Sequence, residues 1–124
     1  MKIADESTMN NRIIIAGLIL SILMFAGCAS TNKEFATCLT DKGVTMYGAF
    51  WCSHCQNQKK MFGSAFSEVN YVECSLPSGK GQTQVCIDKG ISGYPTWELG
   101  NGTRLEGEVS LAMLSKSSGC PLSG

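Results

Sequence analysis

Two cysteines three positions apart, Cys52 and Cys55, stand where the chain changes its hydrophobic period. Before them, Val44 to Phe50 (VTMYGAF) is a continuous apolar, β-branched and aromatic run that begins after Gly43, the pattern of a buried central strand. After them, from about Ser53 to Ser67, apolar residues recur at helical spacing. Met61, Phe62, Ala65 and Phe66 are expected inward, and Gly63 is placed to loosen or kink the helix. Cys52 therefore ends a strand and opens a helix. There it faces unpaired backbone N–H groups and the positive end of the helix dipole, which stabilise a thiolate. Two intervening residues bring the second sulfur within bonding reach. His54, between them, can add charge or a hydrogen bond, making Cys52 a better leaving group and the pair more oxidising. The spacing also suits a structural disulfide or half of a zinc site. Zinc needs two further ligands, and the nearest, Cys74, stands alone, so a redox dithiol without metal or cofactor is the expectation.

The neighbouring segments supply a frame for this unit. Lys33–Lys42 reads as a helix with Phe35, Ala36 and Leu39 on one face, stopped by Gly43. Asn70–Cys74 reads as a strand, Leu76–Gly81 as a Pro/Gly/Ser loop, and Gln82–Lys89 as a short helix ended by Gly90. Thr96–Leu99 and Thr103–Gly107 flank Gly100-Asn101-Gly102, a hairpin signal. Leu111–Ser115 begins a final helix. The order α-β-α-β-α-β-β-α gives an α/β fold: a mixed four-stranded sheet flanked by helices.

Ten Lys/Arg balance ten Asp/Glu, so no basic excess marks a nucleic-acid partner, and 44% hydrophobic residues exclude a disordered chain. Residues 1–27 read as an export signal or membrane anchor. Arg12 precedes Ile13–Gly27, fifteen uncharged residues, short of the roughly 20 that cross a bilayer. The run ends Phe25-Ala26-Gly27-Cys28, which resembles the bacterial lipoprotein cleavage box, with Phe25 in place of the usual Leu. That resemblance implies lipidation of Cys28; an uncleaved anchor and ordinary secretion are the alternatives. Each places the rest outside the cytoplasm, on the periplasmic or cell-surface side. Residues 28–32 are then a tether, 33–120 the domain and 121–124 a tail. Of seven cysteines, six remain after Cys28, an even number suited to an oxidising compartment.

Phe50-Trp51-Cys52-Ser53-His54-Cys55 and Gly93-Tyr94-Pro95-Thr96 resemble thioredoxin-fold oxidoreductases. In that family the proline is cis and lies against the dithiol, so the resemblance implies that Pro95 aligns the substrate chain. A closer resemblance spans Phe35 to Cys120. Phe35-Ala36-Thr37-Cys38-Leu39, Met46 to Gln56, Gln58-Lys59, Tyr71-Val72-Glu73-Cys74, Gly93 to Trp97 and Ser118-Gly119-Cys120 are similar to the thioredoxin-like domain fused to, or partnered with, vitamin K epoxide reductase-type membrane proteins of bacteria and plants. That implies a disulfide donor to cysteine-containing exported proteins, reoxidised by a quinone-linked membrane partner. Lacking the membrane part, this chain is expected to be a stand-alone relative. A membrane-tethered reductase and a non-catalytic binding protein are the alternatives.

Within the resemblance, Cys52 is the nucleophile, Cys55 resolves the mixed disulfide and His54 tunes Cys52. Trp51 and Tyr94 flank the site as a peptide-facing rim, and Trp97 is core or lies just behind it. The closer family also suggests a Cys74–Cys86 disulfide closing the Pro/Gly/Ser loop. Cys38 and Cys120 then remain as a second pair, the alternative being two buried free thiols. Thioredoxin itself has a buried acid six residues before the first active cysteine; here that position is Met46. The Cys55 proton must then pass to water, Lys59 or a backbone group. Glu73 is an outside candidate, expected instead as a solvated strand-end charge, and Lys59 is expected as a solvated helix residue.

Overall fold

Gly43 turns the chain from the first described helix into the sheet. The structure, a computed structural model, describes residues 31–123. The expected export segment and Cys28 lie outside the described residues. Helix α1 (Thr31–Asp41) starts two residues before Lys33, so Thr31 and Asn32 of the expected tether are helical. Its Phe35, Ala36 and Leu39 are buried. At Gly43, φ +73°, the amides of Gly43 and Val44 bond back to the carbonyls of Thr40 and Leu39, a helix end that a residue without Cβ adopts freely.

Strand β1 (Thr45–Gly48) is central in a four-stranded sheet. The sheet order is β2 (Asn70–Glu73), β1, β3 (Thr96–Glu98), β4 (Arg104–Glu106), with β2 parallel to β1 and both other pairings antiparallel. A parallel neighbour requires a crossover. Helix α2 (Ser53–Phe62) and a 3₁₀ helix (Gly63–Glu68) provide it, the chain tightening at Gly63 where one continuous helix to Ser67 was expected. The buried stripe of α2 is Cys55, Gln58 and Phe62. Met61, expected inward, stands about 100° around the helix from Phe62 and is 37% exposed. Ala65 is buried and Phe66 half-buried.

Helix α3 (Gln84–Asp88) is shorter than its apolar pattern. Gln82 pairs with Ser75 in an isolated bridge, and its amide donates to the Ile91 carbonyl and the Tyr94 hydroxyl instead. Helix α4 (Leu111–Ser118) is capped by the Ser110 side chain, which accepts the Met113 amide, and ends at Gly119. Strand alternation divides the core between the two faces of β1. Met46 belongs to the larger cluster with Phe35, Leu39, Phe62, Trp97 and Leu114; Tyr47 belongs to a smaller one with Ile91, Cys74 and Cys86. A disulfide lies in each cluster: Cys38–Cys120, just past the end of α4, and Cys74–Cys86. Among the described residues, no helix is long and apolar enough to cross a membrane.

Candidate active site

Cys52 is the N-cap residue of α2, in extended conformation at φ −78° and ψ 119°. Its carbonyl accepts the Gln56 amide at 3.1 Å, the first bond of the helix, while its side chain caps nothing. The sulfur is thus left for chemistry beside orphan backbone donors. Cys52 is 8% exposed and Cys55, one turn on, is fully buried; both are free thiols. Cys52 Sγ lies 3.7 Å from the Tyr94 carbonyl oxygen. The Tyr94–Pro95 peptide is cis, and Pro95 is buried. Burial pushes the Cys55 thiol up to about 12; its hydrogen bond with Cys52 and the charge of Cys52 act the same way. The Ala49 backbone and the Lys59 charge oppose them. Cys55 therefore holds its proton unless a neighbour takes it.

Behind Cys55 the sheet comes close because position 48 has no side chain. A Cβ on Gly48 would stand 3.0 Å from Cys55 Sγ, 3.0 Å from Tyr71 Cε2 and 3.2 Å from the Tyr71 hydroxyl. That hydroxyl donates to Glu73 Oε2 at 2.7 Å. Burial first, and then Glu73, raise the Tyr71 phenol well above its ordinary range. Glu73 is not the solvated strand-end charge expected of it. Its Oε1 also accepts the backbone amides of Phe50 at 3.2 Å and Ser75 at 2.9 Å. Lys59 is likewise only half exposed, its Nζ 4.0 Å from the Tyr71 ring centroid and 5.4 Å from that of Phe66. A long apolar stem lets such a cation lie on aromatic faces. Met46 is fully buried between Tyr71 and Trp97, its strand partners.

His54 is exposed and its Nδ1 pairs with Glu108 Oε1 at 2.7 Å. Asn57 donates to the same oxygen at 3.1 Å. The His54 bond first, and then Asn57, hold the Glu108 carboxyl below the usual range. Glu108 was not foreseen: it lies after β4, and nothing local in the sequence joins it to His54. The same holds for Gln58, fully buried on α2, which donates to the Val109 carbonyl at 2.9 Å and accepts the Val109 amide at 2.7 Å. A polar residue inside an apolar stripe was the only sign of it.

Trp51 is 53% exposed, its Nε1 donating to Ser75 Oγ at 2.9 Å. Its ring meets that of Tyr94 edge-on, with centroids 6.0 Å apart. The Tyr94 hydroxyl in turn accepts from Gln82. Both rim aromatics are therefore tied to the loop between Cys74 and Cys86. Trp97 is fully buried and packs on Phe62.

No family model matches the chain. It is similar to the thiol-disulfide oxidoreductase LTO1 of Arabidopsis thaliana, 48% identical over 102 residues, covering 76% of this chain and 27% of the relative. It is 36% identical over 77 residues to the thioredoxin domain-containing protein 5 homolog of Drosophila melanogaster, covering 52% of this chain and 18% of that protein. With "Probable protein disulfide-isomerase ER-60" of Schistosoma mansoni it shares 29% over 101 residues, covering 73% and 21%. The chain thus spans about a quarter or less of the length of these relatives. Their similarity and the mixed sheet with flanking helices together give residues 31–123 a thioredoxin-like fold, with the dithiol at the start of α2.

Proposed function

We propose that the chain works as a thiol–disulfide oxidoreductase outside the cytoplasm, held at a membrane by its amino-terminal segment, and donates the Cys52–Cys55 disulfide to cysteine-containing exported proteins. The observation that carries the reading is the asymmetry of the dithiol: Cys52 at the surface edge of the helix start, Cys55 beneath it. A substrate thiolate attacks Cys52 Sγ, the Cys52–Cys55 bond breaks, and Cys55 leaves with the electron pair and takes up a proton. A second substrate thiolate attacks the substrate sulfur of the mixed disulfide. Cys52 then leaves as thiolate, the substrate is oxidised, and the protein has gained two electrons. Phe50, Trp51 and Tyr94 offer an exposed or half-exposed aromatic rim, suited to an extended chain with little sequence selection. A quinone-linked membrane protein is the partner that would reoxidise the dithiol.

The redox potential separates donor from reductase. Equilibration with glutathione at pH 7 is expected to give about −130 to −210 mV, between the reducing and strongly oxidising extremes of such dithiols. His54→Pro should lower it by some tens of millivolts, by removing a group that stabilises the reduced form. One observation favours the reductase: the His54 Nδ1 is engaged by Glu108 at 2.7 Å. A wild-type potential below about −240 mV, with a His54→Pro change under about 10 mV, replaces the donor by the reductase.

The membrane attachment has its own test. The wild type should lose residues 1–27 and partition into detergent, and Cys28→Ser should block that cleavage. A wild type that keeps residues 1–27, just as Cys28→Ser does, would replace the lipid by the uncleaved anchor.

A further inference from the structure

In each half-reaction Cys55 must gain or lose a proton, and strand β1, which leads into the dithiol, carries at Met46 a thioether that cannot take one. We propose that Tyr71 and Glu73 of β2 are the proton relay of Cys55, working across the space above Gly48. This rests on the oxidoreductase function and names the groups that complete its resolving step.

The register brings the parts together. Met46 pairs with Tyr71 and Gly48 with Glu73, so the two β2 residues, two apart, share one face of the sheet. The point where a Gly48 Cβ would sit is 3.0 Å from Cys55 Sγ and 3.2 Å from the Tyr71 hydroxyl, which keeps sulfur and oxygen within about 6 Å of each other. That separation is reached by contact or through one water. The hydroxyl already donates to Glu73 Oε2 at 2.7 Å, and Oε1 is anchored by two backbone amides, so the carboxylate is fixed in an accepting position. The charges felt by Cys55 and Tyr71 come from Cys52, from Lys59 on α2 and from Glu73 on β2. Of these, Glu73 is the base joined by a hydrogen bond to a group beside Cys55. Lys59 remains a cation over the rings and eases formation of the thiolate by its charge.

The step balances. The Cys55 S–H proton passes to the Tyr71 oxygen as the Tyr71 proton passes to Glu73. The Cys55 thiolate attacks Cys52 Sγ of the mixed disulfide, the Cys52–Cys55 bond forms, and the substrate leaves as thiolate with the electron pair of the broken bond. In the oxidising direction the same proton returns to Cys55 as it leaves.

The test mixes reduced protein with dithiobis-nitrobenzoate under stopped flow at pH 6–9. The first thionitrobenzoate released reports Cys52; the second reports attack by Cys55. Tyr71→Phe keeps the ring under Lys59, and Glu73→Gln keeps an oxygen for the amides of Phe50 and Ser75. Each should leave the first phase within about twofold and slow the second by about 100-fold at pH 7, the lower limit of general acid–base effects. The second phase of each variant should also steepen toward about tenfold per pH unit, because it then follows the free thiolate fraction of a thiol near 12. The double variant should be no slower than either single one, since both break one route. Second phases within about twofold of wild type, with an unchanged pH profile in both variants, would overturn the relay. A wild-type protein that releases only the first equivalent would overturn the oxidoreductase function, and the relay with it.

Discussion

Cys52→Ser protein will exchange no disulfides, while Cys55→Ser protein will accumulate in covalent complexes with its substrates. Each variant carries one oxygen-for-sulfur change, yet the geometry assigns them opposite fates. Cys52 is the sulfur a partner can reach, at the helix start and beside the Tyr94 carbonyl. Without it no mixed disulfide forms, and turnover should fall on the order of 10³-fold or more, as for other lost nucleophiles. Cys55 is fully buried behind it and holds its proton to about 12. Its loss leaves the first step intact and removes the second, so the adduct persists. Non-reducing electrophoresis after incubation with a disulfide-bonded substrate reads both outcomes. Brief alkylation of the reduced wild type at pH 6, mapped by mass spectrometry, should mark Cys52; dominant labelling of Cys55 would reverse the two roles.

Removing the Cys38–Cys120 disulfide should be the most destabilising change outside the site. The bridge spans 82 positions, against 12 for Cys74–Cys86. Cross-linking a long loop restricts the unfolded chain more, so replacement of both cysteines by serine should cost about 4.5 kcal/mol for the long bridge and about 3 for the short one. In a domain of this size the first figure corresponds to a fall in melting temperature of roughly 18–36 °C. The larger core adds to the loss, because Cys120 is buried in the cluster with Leu114 and Leu39, where two serine hydroxyls would need partners. Thermal unfolding of the two double-serine variants checks the order. A larger fall for the Cys74/Cys86 variant would show that the short bridge, through the loop that carries Ser75, governs the fold.

Much of the fold was legible because it is local. Phe35, Ala36 and Leu39 repeat at helical spacing, the run VTMYGAF can only be buried, and Gly100-Asn101-Gly102 marks a turn wherever it occurs. The dithiol was legible for the same reason, since its chemistry depends on a strand ending where a helix begins. What escaped the sequence depends on contacts across the fold. Gln58 reads as surface on composition, but Val109 supplies both halves of its hydrogen bonding inside the core. Glu108 meets His54 only because the segment after β4 returns to α2. Glu73 reads as a strand-end charge until Tyr71 and two backbone amides are seen around it. Periodicity reports which face a residue occupies; it does not report what waits on the other side.

The bridge between Cys38 and Cys120 also decides how the domain carries mechanical load. Tension applied between residues 31 and 123 passes along the first turns of α1, crosses the sulfur–sulfur bond and leaves through the last few residues. The sheet, the dithiol and the rim aromatics all lie between positions 38 and 120, outside that line of force. A pull between the two ends would lengthen them while the reactive half of the molecule kept its shape.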